Sequence, residues 1–159
     1  MRNFKIVPLS EGYASQLRTE KKDDYGLEVM EQLSTGAGPC RVSLQPFEIG
    51  KDIRLVFRHS PFEIKNAFDQ PGPVFIHKKP VKAYKDIYNF PPDIKKDKDN
   101  FPLSLIGYNQ EQKMVFTKLV GDEDVDELIE KIFKNHHNIS YLHARNSEAC
   151  CFICKIERL

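Results

Sequence analysis

Three short stretches place side chains with anion, proton or thiol chemistry beside loops. They are Pro39-Cys40-Arg41, Gly72-Pro73-Val74-Phe75-Ile76-His77 and Tyr141-Leu142-His143-Ala144-Arg145-Asn146. Strand ends next to loops are where sites are usually built. In the third stretch, strand alternation puts Tyr141, His143 and Arg145 on one face and Leu142 and Ala144 on the other. The apolar pair belongs to the core, so the polar face has two readings. One is a wet sheet side, ordinary in antiparallel sheets. The other is a concave polar site, where a guanidinium grips a carboxylate or phosphate in a fork and a histidine titrates near neutral pH. In that second reading Arg41 and Arg145 clamp a small anionic molecule. Asn146 orients it, and His77 and His143 exchange protons with it.

Cys40 is a further candidate. The guanidinium of Arg41 next to it in sequence favours the thiolate, and His77 or His143 would serve as base. Against this, alternation sends Cys40 and Arg41 to opposite faces, and a free cysteine is commonly buried and inert. Thiol chemistry at Cys40 therefore ranks third. It follows a ligand pocket and a structural or interaction module in which the same polar residues only hold loops. Cys151 and Cys154 have a C-x-x-C spacing, but within a strand pattern where Cys150, Phe152, Cys154 and Ile156 alternate as one buried face. No second knuckle accompanies it, so no metal site is expected. His136-His137 follow a helix end, where a cation is stabilising. His59 reads as a loop histidine. No Walker loop, dinucleotide-binding turn, H-E-x-x-H or G-x-S-x-G occurs, and no cofactor is expected. Whether the chain is an enzyme is left open by these residues.

The frame that must position them reads as α+β. We expect a single domain over residues 1–159, with a mainly antiparallel β-sheet and one long helix near residues 122–134. Val125, Leu128, Ile129, Ile132 and Phe133 make one helical face. Acidic residues crowd its start and Lys131 and Lys134 its end, as the helix dipole favours. Residues 4–9 read as a peripheral first strand and residues 10–25 as a solvated loop or short helix. Leu27, Val29 and Leu33 hint at a strand, and Leu27 to Gln32 also fits a helix. Cys40–Leu44 and Asp52–Arg58 read as an antiparallel pair, and Val74–His77 as a short strand. Residues 84–102 read as irregular with one helical turn near residue 92. Leu103–Tyr108 and Met114–Val120 form a hairpin. Ile139–Arg145 and Cys150–Glu157 close the chain as two strands.

Composition narrows the partners. The 159 residues include 24 Lys+Arg and 23 Asp+Glu, for a formal net charge of +1. That balance argues against a general nucleic-acid binder or a polybasic membrane anchor. No apolar run approaches the roughly 18–20 residues of a membrane span, and the start lacks signal-peptide features. We expect a cytoplasmic protein whose four cysteines are free thiols. Oligomeric state is not legible.

The stretches named above, with the Tyr108 hairpin, a late cysteine before an aromatic (Cys151-Phe152 or Cys150) and the terminal Ile156-Glu157-Arg158-Leu159, carry a resemblance. In their order and spacing the chain resembles the bacterial domain of unknown function 1203 family, from near residue 25 onward. Ser43 stands where many members carry a second cysteine, which weakens a two-thiol role around Cys40. The charged run at residues 95–99 is individual to this chain. The resemblance implies a small, single-domain, intracellular bacterial protein and implies no reaction.

Overall fold

Eight strands and three helices alternate along the chain. They are β1 (Phe4–Val7), α1 (Glu11–Glu20), β2 (Met30–Leu33), β3 (Ile53–His59), β4 (Gly72–His77), α2 (Pro92–Lys95), β5 (Leu103–Tyr108), β6 (Met114–Leu119), α3 (Val125–Asn135), β7 (Tyr141–Asn146) and β8 (Phe152–Arg158). They are seen in a computed structural model that describes residues 1–159. Five strands form one antiparallel sheet in the order β1-β8-β7-β5-β6, and three form another in the order β2-β3-β4. The α+β class follows from these mostly antiparallel strands and few helices. No helix is long and apolar enough to cross a membrane.

Helix α3 forms where its apolar spacing predicts, and Val125, Leu128, Ile129, Ile132 and Phe133 are buried against one face of the larger sheet. Asp124 caps it, its carboxylate accepting from Glu127 N at 3.0 Å. At the other end Arg158 donates to the carbonyls of Phe133, His136 and Ile139. The Phe133 and His136 carbonyls are acceptors that a helix end leaves unused.

The expectation of one long helix is corrected. Helix α3 has 11 residues and α1 has 10. Of the two readings of residues 10–25, loop or short helix, the helix forms as α1, although it buries only Ala14 and Leu17, too few for a clear periodic face. Ser10 starts it by accepting from Tyr13 N at 3.0 Å. Strand β1 is an edge strand of the larger sheet, and its Phe4 and Ile6 are buried in the main core. Cys40–Leu44 is a turn, not a strand. Leu44 N donates to Cys40 O at 2.8 Å and Leu44 sits at φ 52°. The true partners of β3 are β2 and β4.

A second correction concerns β8. The β7–β8 pairing runs Ala144 to Cys154 and then Arg145 to Phe152, so Ile153 is an extra residue. This bulge sends Ile153 and Cys154 together into the core beneath α3, while Phe152 joins the smaller core under α1. The single alternating face of Cys150, Phe152, Cys154 and Ile156 therefore does not exist. Cys150 lies exposed in the turn before β8 at φ 64°.

Candidate functional site

On β7 the alternation holds. Leu142 and Ala144 enter the core, and Tyr141, His143 and Arg145 occupy the opposite face. That face is covered. Phe62, from the loop between β3 and β4, stands 5.0 Å from the rings of both Tyr108 and His143. The His143 ring is enclosed by Phe62, Tyr108 at 4.8 Å, Tyr141 at 5.2 Å and Phe152 at 5.0 Å. His143 is fully buried and Arg145 is 5% exposed.

Polar partners are scarce there. Seven buried side-chain polar atoms in the protein lack a hydrogen-bond partner, and five belong to Tyr108, His143 and Arg145. Buried polar groups are nearly always paired, so this concentration marks the face as unusual. The Arg145 Nη1 donates to Cys150 O at 3.0 Å, while Nε and Nη2 are free. Nε and Nη2 form one edge of the guanidinium, the edge that matches a carboxylate or phosphate in a two-pronged bond. Neither Arg145 nor Arg41 forms an ion pair.

Burial holds His143 neutral, pulling its pKa down to about 2, with the charges of Arg145 and Lys155 adding to the effect. The expected titration of His143 near neutral pH is thereby corrected: solvation of its cation is lost and the nearest charge is positive. Burial likewise raises the Tyr108 phenol, against the pull of the nearby Arg145 guanidinium.

Arg145 lines a cleft of about 340 Å³ together with His59, Gln70, Pro71, Cys150, Cys151 and Phe152, among others. No Asp or Glu lines it. The reading of His59 as a loop histidine is corrected: it is the buried last residue of β3. The Tyr13 hydroxyl donates to Asp24 Oδ2 at 2.9 Å and lies 3.4 Å from His59 Nδ1. With its only proton directed at Asp24, the phenol accepts from Nδ1–H. The lone pair is then on Nε2. Burial lowers His59 to about 4, opposed by Asp24 and assisted by Arg41, so it is a neutral imidazole at neutral pH. The only signal in sequence was the apolar Ile53–Phe57 pattern, which, extended two residues, places His59 on the inward face of β3.

The other predicted residues do not gather there. Arg41 is fully buried with all three nitrogens engaged. Nε donates to Phe152 O at 2.6 Å, Nη1 to Pro39 O, and Nη2 to Cys151 Sγ at 3.4 Å. It presents no free edge to a ligand and staples the Cys40–Leu44 turn to β8. The Asn146 carboxamide oxygen accepts from Glu148 N and Ala149 N at 2.9 and 2.8 Å, so it shapes the β7–β8 turn. His77 lines a different depression with Lys51, Asp52 and Lys79. Its ring packs on Phe47 at 4.6 Å and burial lowers its pKa. Cys40 is fully buried among Ala14, Leu17, Val42 and Leu55, and its thiol has no hydrogen-bond partner. A nucleophile needs a base within hydrogen-bond reach, and Cys40 has none. No group of three or more His, Cys, Asp or Glu side chains is arranged to hold a metal ion.

Two antiparallel sheets, each packed on a helix and joined at a cleft beside Arg145, define a small α+β protein. Residues 37–158 match the model of the family described as protein of unknown function (DUF1203), and the chain belongs to that family. No curated protein and no solved structure matches the chain.

Proposed function

We propose that this protein binds a small molecule bearing a carboxylate or phosphate, with Arg145 as the anchoring residue. The observation that carries this reading is the free Nε/Nη2 edge of a nearly buried guanidinium without a carboxylate partner. An unpaired buried charge is costly, and an arriving anion supplies the missing charge and both hydrogen bonds. Tyr108 and His143 lie on the same sheet face and bring a hydroxyl and a neutral imidazole to the same ligand. The atoms concerned are inaccessible as the loop stands, so entry requires Phe62 to swing away.

The test is thermal stabilisation by inorganic phosphate and a panel of small mono- and dicarboxylates. We expect a rise in Tm with at least one of them. Arg145→Gln should weaken that ligand by about 10–100-fold, the worth of a charge-assisted pair of hydrogen bonds. Arg145→Lys should restore little, because the fork is lost. Equal shifts in the wild type and Arg145→Gln would remove Arg145 from the site. A structural role suits Arg41 and Asn146 better, since main-chain groups take up the Arg41 Nε and Nη1 and the Asn146 carboxamide oxygen.

A further inference from the structure

We infer that Cys151 is a nucleophilic thiol, its sulfur hydrogen-bonded by the Arg41 guanidinium, that reacts with small electrophiles carrying an anionic group. The choice of anionic reagents rests on the Arg145 reading above, whereas the reactivity of the sulfur does not.

Arg41 is a fully buried cation with no carboxylate partner. Two of its nitrogens meet carbonyl oxygens, which solvate a cation without neutralising it. The third meets Cys151 Sγ, the one ionisable group hydrogen-bonded to it. A buried guanidinium without an anion is expensive, and an adjacent thiolate relieves that cost. Burial pushes the Arg41 guanidinium down, and the sulfurs of Cys151, Cys40 and Cys154 push it back up.

The other thiols lack this combination. Cys154 is in the main core, where burial pushes it up to about 12. Cys40 is sealed in the smaller core. Cys150 is exposed, but its sulfur meets only the Glu148 carbonyl. Cys151 alone has a cationic donor and also lines the cleft. The same cleft holds Arg145, nine-tenths buried with an unpaired edge, and no carboxylate to repel an anion. In the step, the sulfur electron pair attacks the electrophilic carbon and forms a C–S bond. The bond to the leaving group breaks and the leaving group departs with that electron pair. The thiol proton passes to solvent water in the cleft before the sulfur attacks.

Iodoacetate and iodoacetamide test this, since they share one reaction and differ by a charge. In both, iodide leaves. The intact protein is labelled with a sub-stoichiometric amount of each near pH 6.5, and modification is localised by tandem mass spectrometry. Cys151 should label roughly tenfold or more faster than exposed Cys150, the effect of a guanidinium beside a reacting thiol. Iodoacetate should gain on iodoacetamide at Cys151 but not at Cys150. Arg145→Gln should erase that gain. Arg41→Gln should bring Cys151 down to the Cys150 rate with both reagents. If wild-type Cys151 labels no faster than Cys150, the thiol proposal is overturned, whatever anions bind. If Cys151 is fast but iodoacetate holds no advantage, the anion component fails and the nucleophile stands. Both outcomes are read on the wild-type protein, so a misfolded Arg41 variant does not affect them.

Discussion

Two arginines with similar sequence surroundings have different fates. Arg41 has every nitrogen engaged, and Arg145 has one edge free. Histidines divide the same way. His59 is oriented by Tyr13 and Asp24, while His143 sits among four aromatic rings with both nitrogens unpaired. An unpaired buried polar group costs about 1–3 kcal/mol. His143→Phe keeps an aromatic ring in an aromatic cage and removes both orphan atoms. We expect it to raise unfolding stability by about 1–3 kcal/mol at neutral pH while weakening phosphate or carboxylate binding. Denaturant midpoints and ligand-induced Tm shifts measure the two effects. A loss of stability would mean that the imidazole nitrogens find partners in solution.

Elements that are far apart in sequence hold the cover over this face. The tip of the β5–β6 hairpin grips the loop between β3 and β4. Gln112 Oε1 accepts from Glu63 N at 3.0 Å, and Gln112 O accepts from Asn66 Nδ2 at 3.0 Å. Phe62, beside Glu63, is the residue that lies on His143. Gln112→Ala therefore loosens the cover, not the core. We expect hydrogen exchange at the Glu63 amide to accelerate while global stability falls by about 1 kcal/mol or less, the worth of one exposed hydrogen bond. Unchanged exchange at Glu63 would show that the loop is held by other contacts. The bulge at Ile153 is the complementary device on β8. It turns Phe152 toward the His143 cage and sends Cys154 the opposite way.

For the molecule as a whole, the buried histidines set an acid limit. In the folded state His59 and His143 are pulled to about 4 and about 2, both below the usual value near 6.5. The folded protein therefore resists protons that the unfolded chain accepts. Stability is full above about pH 6.5 and falls as pH drops below it, toward the folded values. By pH 5 each histidine contributes a loss of about 2 kcal/mol. In His143→Phe the pH 8 to pH 5 decline should be smaller than in the wild type by about that amount. Urea unfolding at the two pH values measures it, and parallel curves would contradict the buried neutral state of His143.

Most of the strands were legible because alternation and turn residues are local signals. The hairpin at Leu103–Tyr108 and Met114–Leu119, the closing pair β7 and β8, and the apolar face of α3 all follow from spacing alone. So does the shared face of Tyr141, His143 and Arg145. Spacing left helix α1 undecided between loop and short helix because two buried residues make no periodic stripe. Cys40–Leu44 misled because a short apolar run fits a turn as well as a strand. The placement of Phe62 over His143, the saturation of Arg41 by Phe152 and Cys151, and the arrival of His59 beside Arg145 depend on contacts between residues distant in the chain. Local sequence determined which elements form and which side chains share a face, since propensity and periodicity act over a few residues. Tertiary structure alone decided which of those side chains are buried, which are satisfied and which remain free to bind.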